Sequence, residues 1–167
     1  MLPILYKLSI PDIQGQLSIM AKPIGGEWLD DSIQGLKLLG VDGMVSLLER
    51  PEQYELGLAQ QADCCQAHGL SYLNFPIPDR GLPITIKAVA LAKQLYAEIS
   101  TGKHLVIHCR AGIGRTGIIA GAVLVASGLD PHLALTRISQ ARGVTVPDTD
   151  EQRMWLLKLP PYFKTEL

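Results

Sequence analysis

The stretch His108-Cys109-Arg110-Ala111-Gly112-Ile113-Gly114-Arg115-Thr116-Gly117 holds two patterns that could each do chemistry, and they compete for the same residues. Gly112, Gly114 and Gly117 have the Gly-x-Gly-x-x-Gly spacing of a dinucleotide-binding turn. Cys109, followed six residues later by Arg115, has the parts of a nucleophile beside an anion receptor. The first pattern belongs in an early strand-to-helix turn, with an acidic residue closing a second strand about twenty positions on. Here it falls well past the middle of the chain, and Asp130 stands in Gly128-Leu129-Asp130-Pro131, which starts a helix. The second pattern accounts for every position. A following helix N-terminus and the Arg115 guanidinium favour the thiolate, the reactive form of cysteine. The same donors suit a phosphate dianion. Gly112 and Gly114 let the backbone curl into an anion nest, and Arg115 grips two oxygens as a planar fork.

A thiolate attacking phosphorus expels an alkoxide or phenoxide, so a positioned acid must protonate the leaving oxygen. Asp79 stands in Asn74-Phe75-Pro76-Ile77-Pro78-Asp79-Arg80-Gly81-Leu82-Pro83, a loop stiffened by three prolines and loosened by Gly81. It precedes Cys109 by thirty residues, room for one strand-helix-strand crossover. Such a crossover is expected to return the chain to a neighbouring strand and bring both residues to one sheet edge. The alternative is a turn-capping aspartate. Asp30, Asp31 and Asp63 lie in helical patterns, and Asp42 is at the wrong end of its strand. Gln61, Cys64 and His68 share a helix face, but two potential ligands are too few for a metal site.

The elements that must position these residues follow from periodicity. VDGMVSLL from Val41 and LSYLNFPI from Leu70 read as buried strands, and HLVIHC from His104 runs directly into the cysteine loop. Trp28, Ile33, Leu36, Leu38 and Leu39 recur at helical spacing, and Leu56, Ala59, Ala62 and Cys65 line one face of a helix ending near Gly69. ITIKAVALAKQLYAEIS from Ile84 is a helix that stops near Gly102. After Gly117 come an apolar helix to about Ser127, one from Asp130 to about Ala141, and one from about Asp148. In the second, Asp130 caps, Pro131 takes the first helical position and Gly143 follows the end. Strands alternating with helices predict an α/β fold: a single domain with a mainly parallel central sheet flanked by helices, and the cysteine loop between a strand and a helix. The domain is expected to span residues 1–167, with residues 1–15 as a loosely attached arm.

With 167 residues and a net charge of -1, the chain has no global basic field for nucleic acid or a membrane surface. The N-terminus is interrupted by Lys7, Pro11 and Asp12 and lacks signal-peptide features, and IIAGAVLVASGL is too short to cross a bilayer. Cys64, Cys65 and Cys109 make no disulfide framework, so a reducing cytoplasm is expected.

His108 to Gly117 resembles the His-Cys-x5-Arg-Ser/Thr signature of cysteine-dependent protein phosphatases, particularly the small dual-specificity type and compact bacterial relatives of the kinase-associated phosphatase. The similarity covers roughly Ile19 to Leu159. It implies a phosphotyrosine-phosphatase-like fold in which Cys109 forms a phosphocysteine, Arg115 binds phosphate, Thr116 assists thiolate release, and His108 holds the loop and tunes the thiol. Asp79 matches the family's general acid, later the base that activates water. Phosphate would lie against Arg110, Ala111, Gly112, Ile113, Gly114 and Arg115, with Arg110 also at the pocket rim. Gln152 matches a glutamine of the helix after the signature, whereas Asp148 stands where the family often has a second glutamine, which leaves open how the hydrolytic water is positioned. Arg142 is either a support of the loop or a solvated helix-end residue. Some cysteine phosphatases protect their nucleophile as a disulfide, for which Cys64 and Cys65 are the candidates.

The resemblance implies no cofactor and no metal. It implies a phosphorylated protein as substrate, phosphotyrosine favoured and phosphoserine or phosphothreonine allowed, or a small phosphomonoester. It implies no nucleic acid and no stable membrane association. A phosphoinositide or nucleotide phosphatase, a sulfurtransferase and an inactive phosphate-binding module are the alternatives. Apolar Ile113, where lipid-directed relatives often carry a basic residue, tilts against the lipid reading.

Overall fold

The computed structural model of the protein describes residues 2–164. Its centre is β5 (His104–His108), buried at every position. A strand covered on both faces needs apolar side chains on both, which is why this segment reads as a continuous hydrophobic run. One five-stranded sheet forms in the order β1-β2-β5-β3-β4. β2 (Gln16–Met20) and β3 (Gly43–Ser46) flank β5 in parallel, and β4 (Ser71–Asn74) pairs with β3, also in parallel.

The helices are α1 (Leu29–Leu38), α2 (Arg50–Glu55), α3 (Gln61–Ala67), α4 (Thr85–Ser100), α5 (Gly114–Ala126), α6 (Pro131–Arg142) and α7 (Asp150–Leu157). α5 leaves the cysteine loop and is buried from Gly114 to Val125, packed by α4, α6 and α7. It is hydrophobic on all sides because it has no solvent face. α6 is capped as its sequence predicts: the Asp130 carboxylate accepts from the N–H groups of His132 and Leu133, and Gly143 closes the helix at φ 85°.

Several expectations are corrected. Among the described residues, the segment before β2 is attached to the sheet and is no loose arm. β1 (Tyr6–Leu8) pairs antiparallel with β2, and Leu8 and Ile10 are buried. The parallel sheet would otherwise end on an open β2 edge, which β1 covers. β4 is an exposed edge strand, with Ser71, Leu73 and Asn74 in solvent. The helix expected through Leu56 and Cys65 is two helices, α2 and α3, separated where Gly57 turns at φ 71°. On α1 the buried face is Leu29, Ile33 and Leu36, while Trp28, Leu38 and Leu39 point outward.

The crossover through α4 does not reach a neighbouring strand. It starts from β4 and ends at β5, passing over β3. Asp79 and Cys109 still share the carboxyl edge of the sheet, but a strand lies between theirs. That strand delivers a residue of its own to the site.

Candidate active site

Cys109 follows β5 and is 3% exposed. The loop after it is backed by the end of β2, where the Lys22 N–H donates to the Arg110 carbonyl at 3.0 Å. Gly112 turns at φ 72°, and a side chain there would run into the Met20 carbonyl oxygen. The requirement for glycine is therefore both conformational and steric. Gly114 begins α5 against the Asp148 carboxylate, which occupies the space a Cβ would need. Ile113 is the N-cap residue of α5, whose free N–H groups face the loop.

Arg115 is 2% exposed and its guanidinium is held from three sides. Nη1 donates to Glu52 Oε2 at 2.8 Å and to the Ile77 carbonyl at 2.9 Å. Nη2 donates to Glu52 Oε1 at 2.9 Å and to Asp79 Oδ1 at 3.2 Å. These bonds use both hydrogens of each terminal nitrogen. Burial alone would lower Arg115, but the Glu52 bonds and the charges of Cys109, Glu52 and Asp79 raise it above its ordinary value. For Glu52, burial works upward, and the bonds from Arg115 and from the Glu49 backbone outweigh it, leaving the carboxyl below its usual range.

Glu52 is the residue that sequence reasoning missed. It follows β3, the strand between those that deliver Cys109 and Asp79. It also completes a capping box on α2: the Glu49 N–H donates to Glu52 Oε2 at 3.0 Å. The signal available was Glu49-Arg50-Pro51-Glu52 directly after an apolar strand, a helix start at the sheet edge. Its pairing across 63 residues to Arg115 was not legible.

His108 is fully buried, with Nδ1 3.0 Å from the Cys109 carbonyl oxygen. A carbonyl only accepts, so Nδ1 carries the proton. Nε2 is bare and has no partner among the described residues. Burial pushes the imidazole down to about 4; the Arg115 and Lys22 charges add to this and the Cys109 carbonyl opposes it. Thr116 Oγ1 is likewise buried without a hydrogen-bond partner among the described residues. Arg142 supports the loop: Nη2 donates to the Ala111 carbonyl at 3.0 Å, and the guanidinium lies 4.4 Å from the centre of the Tyr6 ring. Arg110 sits at the rim, 3.7 Å from Glu55, an exposed pair worth little to stability.

Asp79 is 59% exposed and reaches the site through Arg115. It lies in a turn closed by the Gly81 N–H donating to the Pro78 carbonyl at 2.8 Å, with Arg80 at φ 58°. Gln152 is fully buried and donates from Nε2 to the Gly81 carbonyl at 3.2 Å. Cys64 and Cys65 belong to α3, which packs on α1 and on the far edge strand β4. Burial, helped by the Cys64 charge, pushes the Cys65 thiol up to about 12, and burial with the Asp30 and Asp63 charges raises Cys64. Neither is poised as a thiolate. His68 pairs with Asp30 at 2.9 Å and Gln61 donates to the Tyr72 hydroxyl at 3.1 Å.

The arrangement places a cysteine, a donor-lined loop, a rigid guanidinium and an accessible carboxylate at one sheet edge, the parts needed to bind a phosphoryl group and transfer it to sulfur.

Comparison with known proteins agrees. The Tc-R-P family model, described as "Polymorphic toxin system, DSP-PTPase phosphatase", matches residues 19–129. Cyclin-dependent kinase inhibitor 3 of Rattus norvegicus is 24% identical over 123 residues, covering 72% of this chain and 58% of that protein. The Mus musculus protein is 25% identical over 122 residues, with the same coverage of 72% and 58%. The chain thus spans 58% of the length of these curated relatives. Among solved structures, kinase associated phosphatase with its catalytic-site cysteine replaced by serine superposes with a TM-score of 0.90 at 19% identity, covering 100% of this chain and 99% of that one. Tk-PTP in its active form gives a TM-score of 0.73 at 27% identity, covering 92% and 99%.

Proposed function

The chain belongs to the DSP-PTPase phosphatase family of polymorphic toxin systems, and on that premise we propose that it hydrolyses phosphomonoesters through a phosphocysteine at Cys109, within one catalytic domain. The observation that carries the reading is the Arg115 guanidinium, held by Glu52 on one edge and in contact with Asp79 on the other.

Substrate phosphate enters the loop of Arg110, Ala111, Gly112, Ile113, Gly114 and Arg115 and takes over the Nη2 hydrogen that Asp79 holds. Binding of phosphate and release of the acid are then one event. The Cys109 thiolate attacks phosphorus, the S–P bond forms, and the P–O bond to the leaving group breaks. A proton on Asp79 passes to the leaving oxygen. Water then attacks phosphorus, Asp79 takes its proton, and the S–P bond breaks to regenerate the thiolate. Loop N–H groups and Arg115 bind the equatorial oxygens throughout, already oriented before charge develops. The uncommitted Thr116 hydroxyl supports the departing thiolate. His108 stays neutral and fixes the loop through the Cys109 carbonyl.

The substrate class we assign is a phosphorylated protein, with phosphotyrosine favoured and phosphoserine or phosphothreonine accepted. The exposure of Asp79 supports a site open enough for either. Three free cysteines support action in a reducing, cytoplasmic setting. Among the described residues no helix is long and apolar enough to cross a membrane.

The test is hydrolysis of p-nitrophenyl phosphate in EDTA. Wild type should turn over, Cys109→Ser should lose activity, and Asp79→Asn should slow by about 10²-fold. A folded, reduced wild-type protein without turnover, or a Cys109→Ser variant that retains it, would sink the reading.

A further inference from the structure

Gln152 matches a glutamine of the helix after the signature, and in the structure its side-chain oxygen and nitrogen both have partners. Oε1 accepts from the N–H groups of Asp148 and Thr149 at 3.1 and 3.2 Å, completing the capping box of α7. Nε2 donates to the Gly81 carbonyl at 3.2 Å, 71 residues away in sequence.

Gly81 ends the turn that carries Asp79. Upstream of Asp79 that turn is already fixed. Ile77 is fully buried, its N–H donates to the Leu47 carbonyl at 3.0 Å, and its own carbonyl accepts from Arg115 Nη1. Downstream, Leu82 and Ile84 are exposed and contribute little packing. The holds on that side come from α7: Gln152 on Gly81, then Trp155 Nε1 donating to Thr85 Oγ1 at 3.1 Å. A turn fixed at one end pivots about it, whereas a second bond closes the frame.

We propose that Gln152 is a positioning residue for the general acid: its bond to Gly81 holds Asp79 at the Arg115 edge, beside Cys109. This rests on the reading of Asp79 as the acid. The bond acts on proton delivery, so its loss should cost more with a poor leaving group, which depends most on the proton, than with a good one. Asp148, just ahead of the α7 N-cap, has its carboxylate against Gly114 at the start of α5.

The substitution that separates the tie from the cap is Gln152→Glu. Glutamate also serves at this capping-box position, but it sets an oxygen against the Gly81 carbonyl. Gln152→Met, similar in shape and uncharged, controls for the added charge. Rates are measured on p-nitrophenyl phosphate, a good leaving group, and phenyl phosphate, a poor one, in wild-type and Asp79→Asn backgrounds, with thermal unfolding of every variant.

Both Gln152 variants should lose about tenfold on phenyl phosphate and less than about threefold on p-nitrophenyl phosphate. In the Asp79→Asn background neither should cause a further selective loss, because the acid they position is gone. Equal losses on both substrates, or the same selective loss added to Asp79→Asn, would overturn the tie while leaving Asp79 as the acid. Absence of a selective loss in Asp79→Asn itself would overturn the assignment of the acid, and the tie with it.

Discussion

The two halves of the site are built differently. Cys109 lies between a fully buried strand and a helix buried from Gly114 to Val125, and Arg115 is in that helix's first turn; they are 3% and 2% exposed. Asp79 is 59% exposed, on a turn beyond an edge strand, and reaches the same guanidinium through one bond of 3.2 Å. The cradle is contiguous in sequence, rigid and part of the core. Asp79, the proposed acid, is a surface side chain in contact with Arg115, on a turn whose flanks are bonded at Ile77 and at Gly81. Donors aimed at developing charge gain from burial and rigidity, while an acid that serves leaving groups of different size must stay accessible. Changes in the cradle should therefore cost stability and activity together, and changes at the acid should cost activity alone.

Glu52→Gln tests this most severely. It leaves the buried Arg115 with only the exposed Asp79 as a carboxylate partner, so urea unfolding should show a loss of about 3 kcal/mol, accompanied by a fall in kcat/KM. Asp79→Asn, removing an exposed partner of the same arginine, should change stability by less than about 0.5 kcal/mol. Equal effects from the two would erase the distinction between the halves.

His108 makes the cradle pH-sensitive. Its folded-state value of about 4 lies below the ordinary 6.5, so between these limits the unfolded chain binds a proton that the folded one refuses. Stability then rises with pH through that window and is flat above it. Acidification from about 6.5 to about 4 should cost on the order of 3 kcal/mol from this group. Glu52, held below 4.5, loses its stabilising charge only at lower pH, as the fall passes its folded value. Unfolding free energies of wild type and His108→Asn across this range provide the check. An unchanged slope in the variant would assign the acid sensitivity elsewhere.

Asp148→Asn probes the boundary between the halves with the smallest effect. Its exposed carboxylate lies at the start of α5, close to where the phosphate charge would sit. Removing that charge should tighten inhibition by vanadate about threefold, less at high salt. Weaker inhibition would mean that Asp148 acts by holding a water or a loop and not through its charge.

The same contrast decided what could be read in advance. The cradle was legible because one ten-residue stretch contains its nucleophile, its turn and its helix start. The central strand and α5 were legible because burial on all sides requires uninterrupted apolar residues. β1 was not, since three residues gain their strand conformation by pairing with β2, a tertiary event. The surface position of β4 was not, because alternation does not say which strand lies at an edge. Gln152 was found as a residue, but its contact was not legible, since its partner Gly81 lies 71 residues away in the chain.

By itself the sequence determined the local chemistry: Cys109 ahead of a glycine-rich turn, Arg115 at the head of a buried helix, and Asp79 in a proline-framed loop. Only the tertiary structure decided that β3 lies between the strands of Asp79 and Cys109 and leads to Glu52, that β1 brings Tyr6 under Arg142, and that α7 bonds to Gly81 in the turn of Asp79. The physical reason is range. Helix starts, caps and turns are set by residues a few positions apart, whereas the pairing of a buried arginine and the restraint of a surface loop depend on segments brought together by burying apolar surface, which has no direction along the chain.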